Sequence, residues 1–166
     1  IESKYKEVVV EEEVEEIKDI NIFISKRGYI TQIPTEYYNE NNSYGDSNDY
    51  IIKTFTCTTD DIIGVFTKDG RIYRIKTDNL PEAGSKNKRD TYHIPSTFNI
   101  FEDDIVAYIL LSKNEQDYLL FATSDGLIKK TLVSEFYNSR QGTVIIKLKE
   151  NAKLVSQAYH TINDIE

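Results

Sequence analysis

The sequence predicts an all-β fold, organised as a propeller-like array of repeated blades. Three segments, which start at Asp19, Asp61 and Asp117, each run from an aspartate through an apolar stretch to a glycine nine residues later. An isoleucine follows two residues after each glycine. Repeats of roughly 40 to 55 residues with three or four strands each are typical of bladed arrays.

Each repeat predicts a β-hairpin. Its apolar run, bounded by turn signals, is typical of a strand buried on both faces. The sequences Lys-Arg-Gly, Lys-Asp-Gly and Ser-Asp-Gly, which end at Gly28, Gly70 and Gly126, predict tight turns because glycine readily takes a positive φ. Alternation would place Ile72 and Arg74 on one face of the returning strand, so we expect a bulge or a strand end there.

Further strands are expected at residues 51–57, 105–111 and 154–159, before the second, third and fourth copies of the repeat. The fourth copy would begin at Asp164. We therefore expect about three antiparallel blades, each with four strands, in a partial, open ring. The chain starts at Ile1 and contains no methionine, which predicts that it is part of a longer polypeptide.

Charge divides the chain into an acidic leader, residues 1–18, and a repeat domain, residues 19–166. The first 20 of the 166 residues hold eight acids and three lysines, whereas the whole chain has a net charge of −8. Such a leader is typical of a solvated tether. A short helix is the alternative, since Val10, Val14 and Ile17 would share one helical face.

Composition excludes several classes of protein. A hydrophobic fraction of 39% argues against a wholly disordered chain, and no apolar run approaches the roughly 20 residues of a membrane-spanning helix. Cys57 is the one cysteine and is expected in the core. His93 and His160 are not accompanied by the further ligand residues that a metal site needs. No catalytic residues, metal or cofactor are predicted in this fragment.

Basic residues recur beside the predicted turns, where they could contact phosphates without reading bases. The alternative for each is an ordinary solvated surface residue, and the net charge of −8 argues mildly against nucleic acid. Tyr29 and Tyr73 are expected to pack and not to stack on bases. The candidate DNA-binding residues are Lys26, Arg27, Lys68, Arg71, Arg74, Lys86, Lys88, Arg89, Lys129 and Lys130.

Three segments, taken in order, resemble a known family. They are Ile24-Ser-Lys-Arg-Gly-Tyr-Ile30 with Glu36-Tyr37, Gly70-Arg-Ile-Tyr-Arg-Ile75 with Leu80-Pro81-Glu82, and Phe121-Ala-Thr-Ser-Asp-Gly-Leu-Ile-Lys-Lys-Thr131 with Ser134-Glu135-Phe136. These are similar to blades of the C-terminal domain of the A subunit of bacterial DNA gyrase and topoisomerase IV. The resemblance covers roughly residues 8–166.

The resemblance implies a β-pinwheel, in which neighbouring blades exchange strands. It also implies that the domain wraps or bends duplex DNA around a basic rim and guides it to the cleavage gate elsewhere in the same polypeptide. The expected partners are duplex DNA, the ATPase B subunit and the rest of the A subunit, in the bacterial cytoplasm near the nucleoid. The active sites of such an ATP-dependent topoisomerase would lie outside this fragment.

One departure from the family concerns the loop after the first hairpin. Gyrase carries a Gln-Arg-Arg-Gly-Gly-Lys-Gly box there, whereas this chain has Asn39-Glu-Asn-Asn-Ser-Tyr-Gly-Asp46, without a basic residue. This favours a topoisomerase IV-like protein, with a degenerate gyrase as the alternative.

The competing function is a protein-interaction propeller. A basic rim with acidic residues elsewhere would favour DNA binding, whereas basic and acidic residues that alternate along the rim would favour protein interaction.

Overall fold

In the computed structural model, the described part of the chain forms three antiparallel sheets, each built on one of the three predicted hairpins. Described are residues 15–39, 48–83, 91–114 and 116–160, with the backbone alone for 156–160. Most of the leader, Lys86, Lys88, Arg89 and the expected fourth repeat at Asp164 lie outside these ranges.

The first blade is a four-stranded sheet. Its own strands are β1 (Asp19–Ser25), β2 (Tyr29–Pro34) and β3 (Ile51–Thr58), with a 3-10 turn at Thr35–Tyr37 after β2. All residues of β1 after Asp19 are buried, as expected for a strand that is rich in isoleucine and packs on both faces. The strand β3 pairs with β1 on the side away from β2.

The second blade repeats this arrangement. Its own strands are β4 (Ile62–Thr67), β5 (Arg71–Lys76) and β7 (Ile105–Leu110), and β7 pairs with β4. Between β5 and β7 lie β6 (Tyr92–His93), the short helix α1 (Ile94–Phe98) and a 3-10 turn at Glu102–Asp104.

The third blade has three strands among the described residues. These are β8 (Tyr118–Thr123), β9 (Ile128–Leu132) and β11 (Leu154–His160), in the order β11-β8-β9. The helix α2 (Ser134–Tyr137) and the strand β10 (Thr143–Val144) lie between β9 and β11.

Neighbouring blades exchange short strands. The strand β6, from the second repeat, pairs with β2 and completes the first sheet in the order β3-β1-β2-β6. The strand β10, from the third repeat, pairs with β5 and completes the second sheet in the order β10-β5-β4-β7. No described strand covers the corresponding edge of β9. The predicted partial, open array of exchanged blades is confirmed.

Two apolar clusters join the blades. One contains Phe66 of β4, Phe121 of β8 and Phe136 of α2, and therefore links the second and third blades. The ring centroids of Phe66 and Phe121 are 5.3 Å apart, and Phe136 meets both rings edge-on. The other cluster links the first and second blades and includes Cys57, which is buried as predicted.

The expected bulge or break in the second returning strand was wrong. The strand β5 pairs with β4 from Ile72 to Lys76 without a register shift. The irregularities lie instead on the opposite side of each hairpin's first strand, for example between Phe66 and Thr67 in the β4–β7 pairing. A regular strand is possible because Arg74 is half-buried with hydrogen-bonding partners, as described below.

Candidate nucleic-acid interface

The three hairpin turns, at residues 26–28, 68–70 and 124–126, share one backbone geometry. Gly28, Gly70 and Gly126 have φ angles of 87°, 82° and 83°, in the left-handed region that favours glycine. Each glycine N–H donates to the carbonyl of the last residue of the preceding strand, at 2.9 to 3.0 Å. The residues beside these glycines are therefore held in equivalent positions in the three blades.

At the first turn, the backbone is anchored while the two basic side chains are exposed. The Lys26 N–H donates to the Tyr50 carbonyl at 2.8 Å, and the Arg27 N–H donates to Asp49 Oδ1 at 3.1 Å. Neither basic side chain forms an ion pair with a described residue. Tyr29 packs against the His93 ring, with centroids 4.5 Å apart.

Both ring nitrogens of His93 contact backbone groups. Its Nδ1 accepts from the Ser96 N–H at 3.3 Å at the start of α1, and its Nε2 lies 2.8 Å from the Arg27 carbonyl. These contacts connect the first turn to α1 of the second repeat.

At the second turn, the cations already have partners within the protein. Lys68 Nζ lies 2.5 Å from Asp104 Oδ1, and this hydrogen bond raises the pKa of Lys68. Arg71 Nε lies 3.0 Å from Asp69 Oδ2, and Arg71 Nη1 donates to the Gly142 carbonyl at 2.7 Å. A phosphate would have to compete with these carboxylates for Lys68 and Arg71.

Arg74 ties β5 to the loop of the third repeat. Its Nη1 and Nη2 donate to the carbonyls of Tyr137 and Ser139, while its Nε is buried without a hydrogen-bond partner among the described residues. The Gln141 side chain bonds both the N–H and the carbonyl of Arg74, at 2.7 and 2.8 Å. The guanidinium thus connects two repeats, and a role in DNA contact stays a prediction.

At the third turn, Lys129 and Lys130 are exposed. Lys129 Nζ donates to the Ile145 carbonyl, and Lys130 Nζ lies 3.9 Å from the centroid of the Tyr118 ring. Neither lysine forms an ion pair with a described carboxylate. No described carboxylate therefore compensates either ammonium group by an ion pair.

Sequence reasoning missed three further lysines near this turn, which are Lys147, Lys149 and Lys153. The first two line, with Lys129, a groove of about 520 Å³ whose one acidic lining residue is Asp125. The Ser124 N–H donates to the Lys153 carbonyl at 2.8 Å, so Lys153 also lies beside the turn. The alternation Lys-Leu-Lys at residues 147–149 was the available signal.

Acidic residues gather at the opposite end of the strands in the first blade. A groove of about 1150 Å³ is lined there by the start of β1, the end of β2 and residues that follow β2, β3 and β5. Lys113 lies near this end, 2.7 Å from Asp60 Oδ1, and the hydrogen bonds from Lys113 and Thr58 lower the pKa of Asp60. The acidic lining residues are Glu15, Glu16, Asp19, Glu36, Asp60, Asp78 and Glu82.

The described residues contain no group of three or more His, Cys, Asp or Glu side chains that could hold a metal ion. None of the helices in the described ranges is long and apolar enough to cross a membrane. Burial raises the pKa of the Cys57 thiol to about 12, which keeps this side chain a neutral core group.

An open array of strand-exchanging antiparallel blades with basic turns defines a domain of the propeller class. The family model described as DNA gyrase C-terminal domain, beta-propeller, matches residues 61–88 and 117–156. Over these residues the chain is similar to the C-terminal domain of DNA gyrase A, and its fold is that of the C-terminal β-pinwheel domains of DNA gyrase A and topoisomerase IV.

Among sequence relatives, the DNA gyrase A protein of Treponema pallidum is 31% identical over 150 residues, which are 84% of this chain and 18% of the relative. The corresponding gyrase A protein of Mycobacterium bovis is 28% identical over 158 residues, 89% of this chain and 19% of the relative. The chain thus spans about a fifth of the length of these relatives.

Among solved structures, the C-terminal domain of DNA topoisomerase IV superposes with a TM-score of 0.71 at 22% identity, covering 87% of this chain and 46% of the other. The gyrase A C-terminal domain gives a TM-score of 0.59 at 19% identity, with coverages of 87% and 49%. These similarities establish the fold.

Proposed function

We propose that this chain is a non-catalytic domain that binds and bends duplex DNA within the A subunit of a bacterial type II topoisomerase. It would guide the duplex to the strand-passage core of the enzyme, next to the ATPase B subunit, in the cytoplasm near the nucleoid. The observation that carries the proposal is the recurrence of exposed cations beside equivalent hairpin turns, while acids line a groove at the opposite end of the strands.

The mechanism is electrostatic. Lysine and arginine side chains beside the hairpin turns neutralise phosphates and release counterions, a contribution to binding that does not depend on sequence. Contacts on successive blades offset the elastic cost of bending, on the order of 1–6 kcal/mol for a 20–30 bp site. Sequence specificity is low, since no described helix presents a base-reading face and α1, with five residues, is the longest of them.

The loop after the first hairpin bears on whether the DNA is bent or chirally wrapped. Residues 39–46 lack cations, and all but Asn39 lie outside the described residues. This departure supports bending with little chiral wrapping and a topoisomerase IV-like protein, the alternative being a gyrase-like one.

A protein-interaction domain is the second candidate function. The acidic groove favours it, because the exposed side chains of Ile17 and Tyr37 add apolar surface to its carboxylates. The second turn also favours it, since Asp69 and Asp104 alternate with the cations there.

A salt titration of binding to random-sequence duplex separates the two functions. We expect log affinity to fall with log salt with a slope of roughly −3 to −5, which corresponds to about three to six neutralised phosphates, one or two for each blade. The change of both Lys129 and Lys130 to Glu should weaken binding and flatten the slope. Absence of binding at about 50 mM salt, where phosphate contacts are strong, would instead favour the protein-interaction function.

A further inference from the structure

The lysines around the third turn differ from the cations of the second turn in how few acids face them. Lys129, Lys147 and Lys149 line one groove, and Asp125 is the single acid among its lining residues. Lys149 Nζ lies 3.9 Å from Asp125 Oδ2, the longest ion pair in the described part of the chain. The Lys149 side chain is 74% exposed.

Lys153 is held at the same turn by its backbone. Its N–H donates to Ser124 Oγ at 2.9 Å, and its carbonyl accepts from the Ser124 N–H at 2.8 Å. The side chains of Lys147 and Lys153 are exposed and form no ion pair within the described ranges. The turn therefore carries four clustered lysines with one weakly paired carboxylate.

The charge balance of the repeats agrees with this arrangement. Residues 117–155 contain six basic and four acidic residues, a balance of +2. One of these acids, Asp117, is buried and accepts hydrogen bonds from Ser112 and Asn114. Residues 61–111 contain seven basic and eight acidic residues, a balance of −1. The third repeat is thus positive in a chain whose net charge is −8.

We propose that the third turn is the principal phosphate-binding element of this chain, with Lys147, Lys149 and Lys153 acting together with Lys129. The inference rests on the proposed DNA-binding function and assigns it to one blade. An ion-paired cation such as Lys68 must give up its carboxylate before it binds a phosphate, whereas an unpaired lysine only exchanges counterions. The paired cations of the second turn contribute less.

The apolar part of the same groove, formed by Leu127, Ile128 and Val144, does not touch the phosphates in this proposal. A phosphate backbone needs only the lysine rim, because the flexible four-carbon lysine stems carry the charge away from the groove floor. An acidic protein segment seated in the groove would use the floor and the rim together, and the experiment distinguishes the two.

The test is a salt titration of the whole 166-residue chain with random-sequence duplex, comparing three proteins: the unmodified chain, Lys147→Glu/Lys149→Glu, and the matched control Lys53→Glu/Lys76→Glu. Lys53 and Lys76 are exposed lysines outside the third blade, so both variants change the charge equally. We expect the third-turn variant to lose roughly tenfold or more in affinity at low salt and to flatten the slope by about 1.8, for two lost phosphate contacts.

The control should lose affinity less than about threefold, by general repulsion alone. Equal losses in both variants, or no loss in the third-turn variant, would overturn the inference. So would a third-turn variant that keeps its DNA affinity but no longer binds a labelled poly-glutamate peptide. If the unmodified chain does not bind DNA, the proposed function itself fails; if it binds and the third-turn variant binds as tightly, the inference alone fails.

Discussion

The second and third hairpins have the same backbone turn but different surroundings. Ile72 and Ile128 both follow two residues after the turn glycine, yet Ile72 is fully buried and Ile128 is 76% exposed. The segment of the third repeat that carries β10 covers Ile72, and its Ile145 N–H donates to the Gly70 carbonyl at 2.8 Å. No described segment covers Ile128 in this way.

The same contrast holds for the charges. Arg71 donates to the Gly142 carbonyl of the covering segment, and Lys68 pairs with Asp104. The groove lined by the third-turn lysines contains a single carboxylate, that of Asp125. A repeated motif therefore does not fix a residue's role. Its place in the array decides whether it belongs to the core, to a contact between blades or to the charged surface.

Replacing each isoleucine by alanine should give the largest difference between the two blades. Ile72→Ala leaves a cavity in the cluster with Phe66 and Ile145, and we expect it to cost about 2–5 kcal/mol of unfolding free energy. Ile128→Ala should stay within about 0.5 kcal/mol, since its side chain is already in water. Urea unfolding measures both, and equal costs would contradict the comparison.

The turn glycines should give the next largest difference. A Cβ on Gly70 would lie 2.6 Å from the Ile146 carbonyl oxygen, whereas a Cβ on Gly126 would have nothing within 4 Å. Both substitutions to alanine place a side chain at positive φ, which costs about 1 kcal/mol. Crowding should add about 1–3 kcal/mol for Gly70→Ala only. Thermal unfolding measures the loss of stability in the two variants. A larger loss for Gly126→Ala than for Gly70→Ala would contradict this expectation.

The acidic leader should act on the lysines that have no carboxylate partner. Deleting residues 1–18 removes seven acids and three lysines, so less negative charge competes with phosphates. We expect a few-fold tighter binding to duplex at low salt, with the gain fading as salt screens it. Combined with Lys147→Glu/Lys149→Glu, the deletion should gain less. An equal gain in both backgrounds would place the leader's effect elsewhere.

The ion pair at the acidic end should show the smallest effect. The hydrogen bonds from Lys113 and Thr58 lower the pKa of Asp60, so the stabilisation by this carboxylate is present above about pH 4 and is lost as the pH falls through the folded-state pKa. Lys113→Ala should raise the Asp60 pKa. Carboxyl NMR titration of both proteins measures this shift, and an unchanged value would contradict the assignment.

The sequence predicted much of this fold, because each hairpin is specified by the apolar and turn residues of its own repeat. The register from aspartate to glycine, the buried strands β1 and β4 and the core position of Cys57 follow from apolar runs and turn chemistry, whereas β8 alternates between buried and half-buried residues. The exchange of β6 and β10 was available only through the family resemblance, since two-residue strands have no periodicity to detect.

The candidate site was less predictable. The carbonyl partners of Arg74 lie 63 and 65 residues away along the chain, and Asp104, the partner of Lys68, lies 36 residues away. Such contacts depend on how the blades stack, and not on any local pattern. For the same reason, Lys147 and Lys149 could not be assigned to the third turn from their own loop.

Lysine footprinting shows directly which lysines the bound DNA covers. The rate of acetylation of each lysine is measured by mass spectrometry with and without a random-sequence duplex at low salt. We expect strong protection of Lys129, Lys147, Lys149 and Lys153 when DNA is bound, with little change at Lys68, whose ammonium is already paired with Asp104. Uniform protection of all lysines, or protection confined to Lys26 and Lys68, would contradict this prediction.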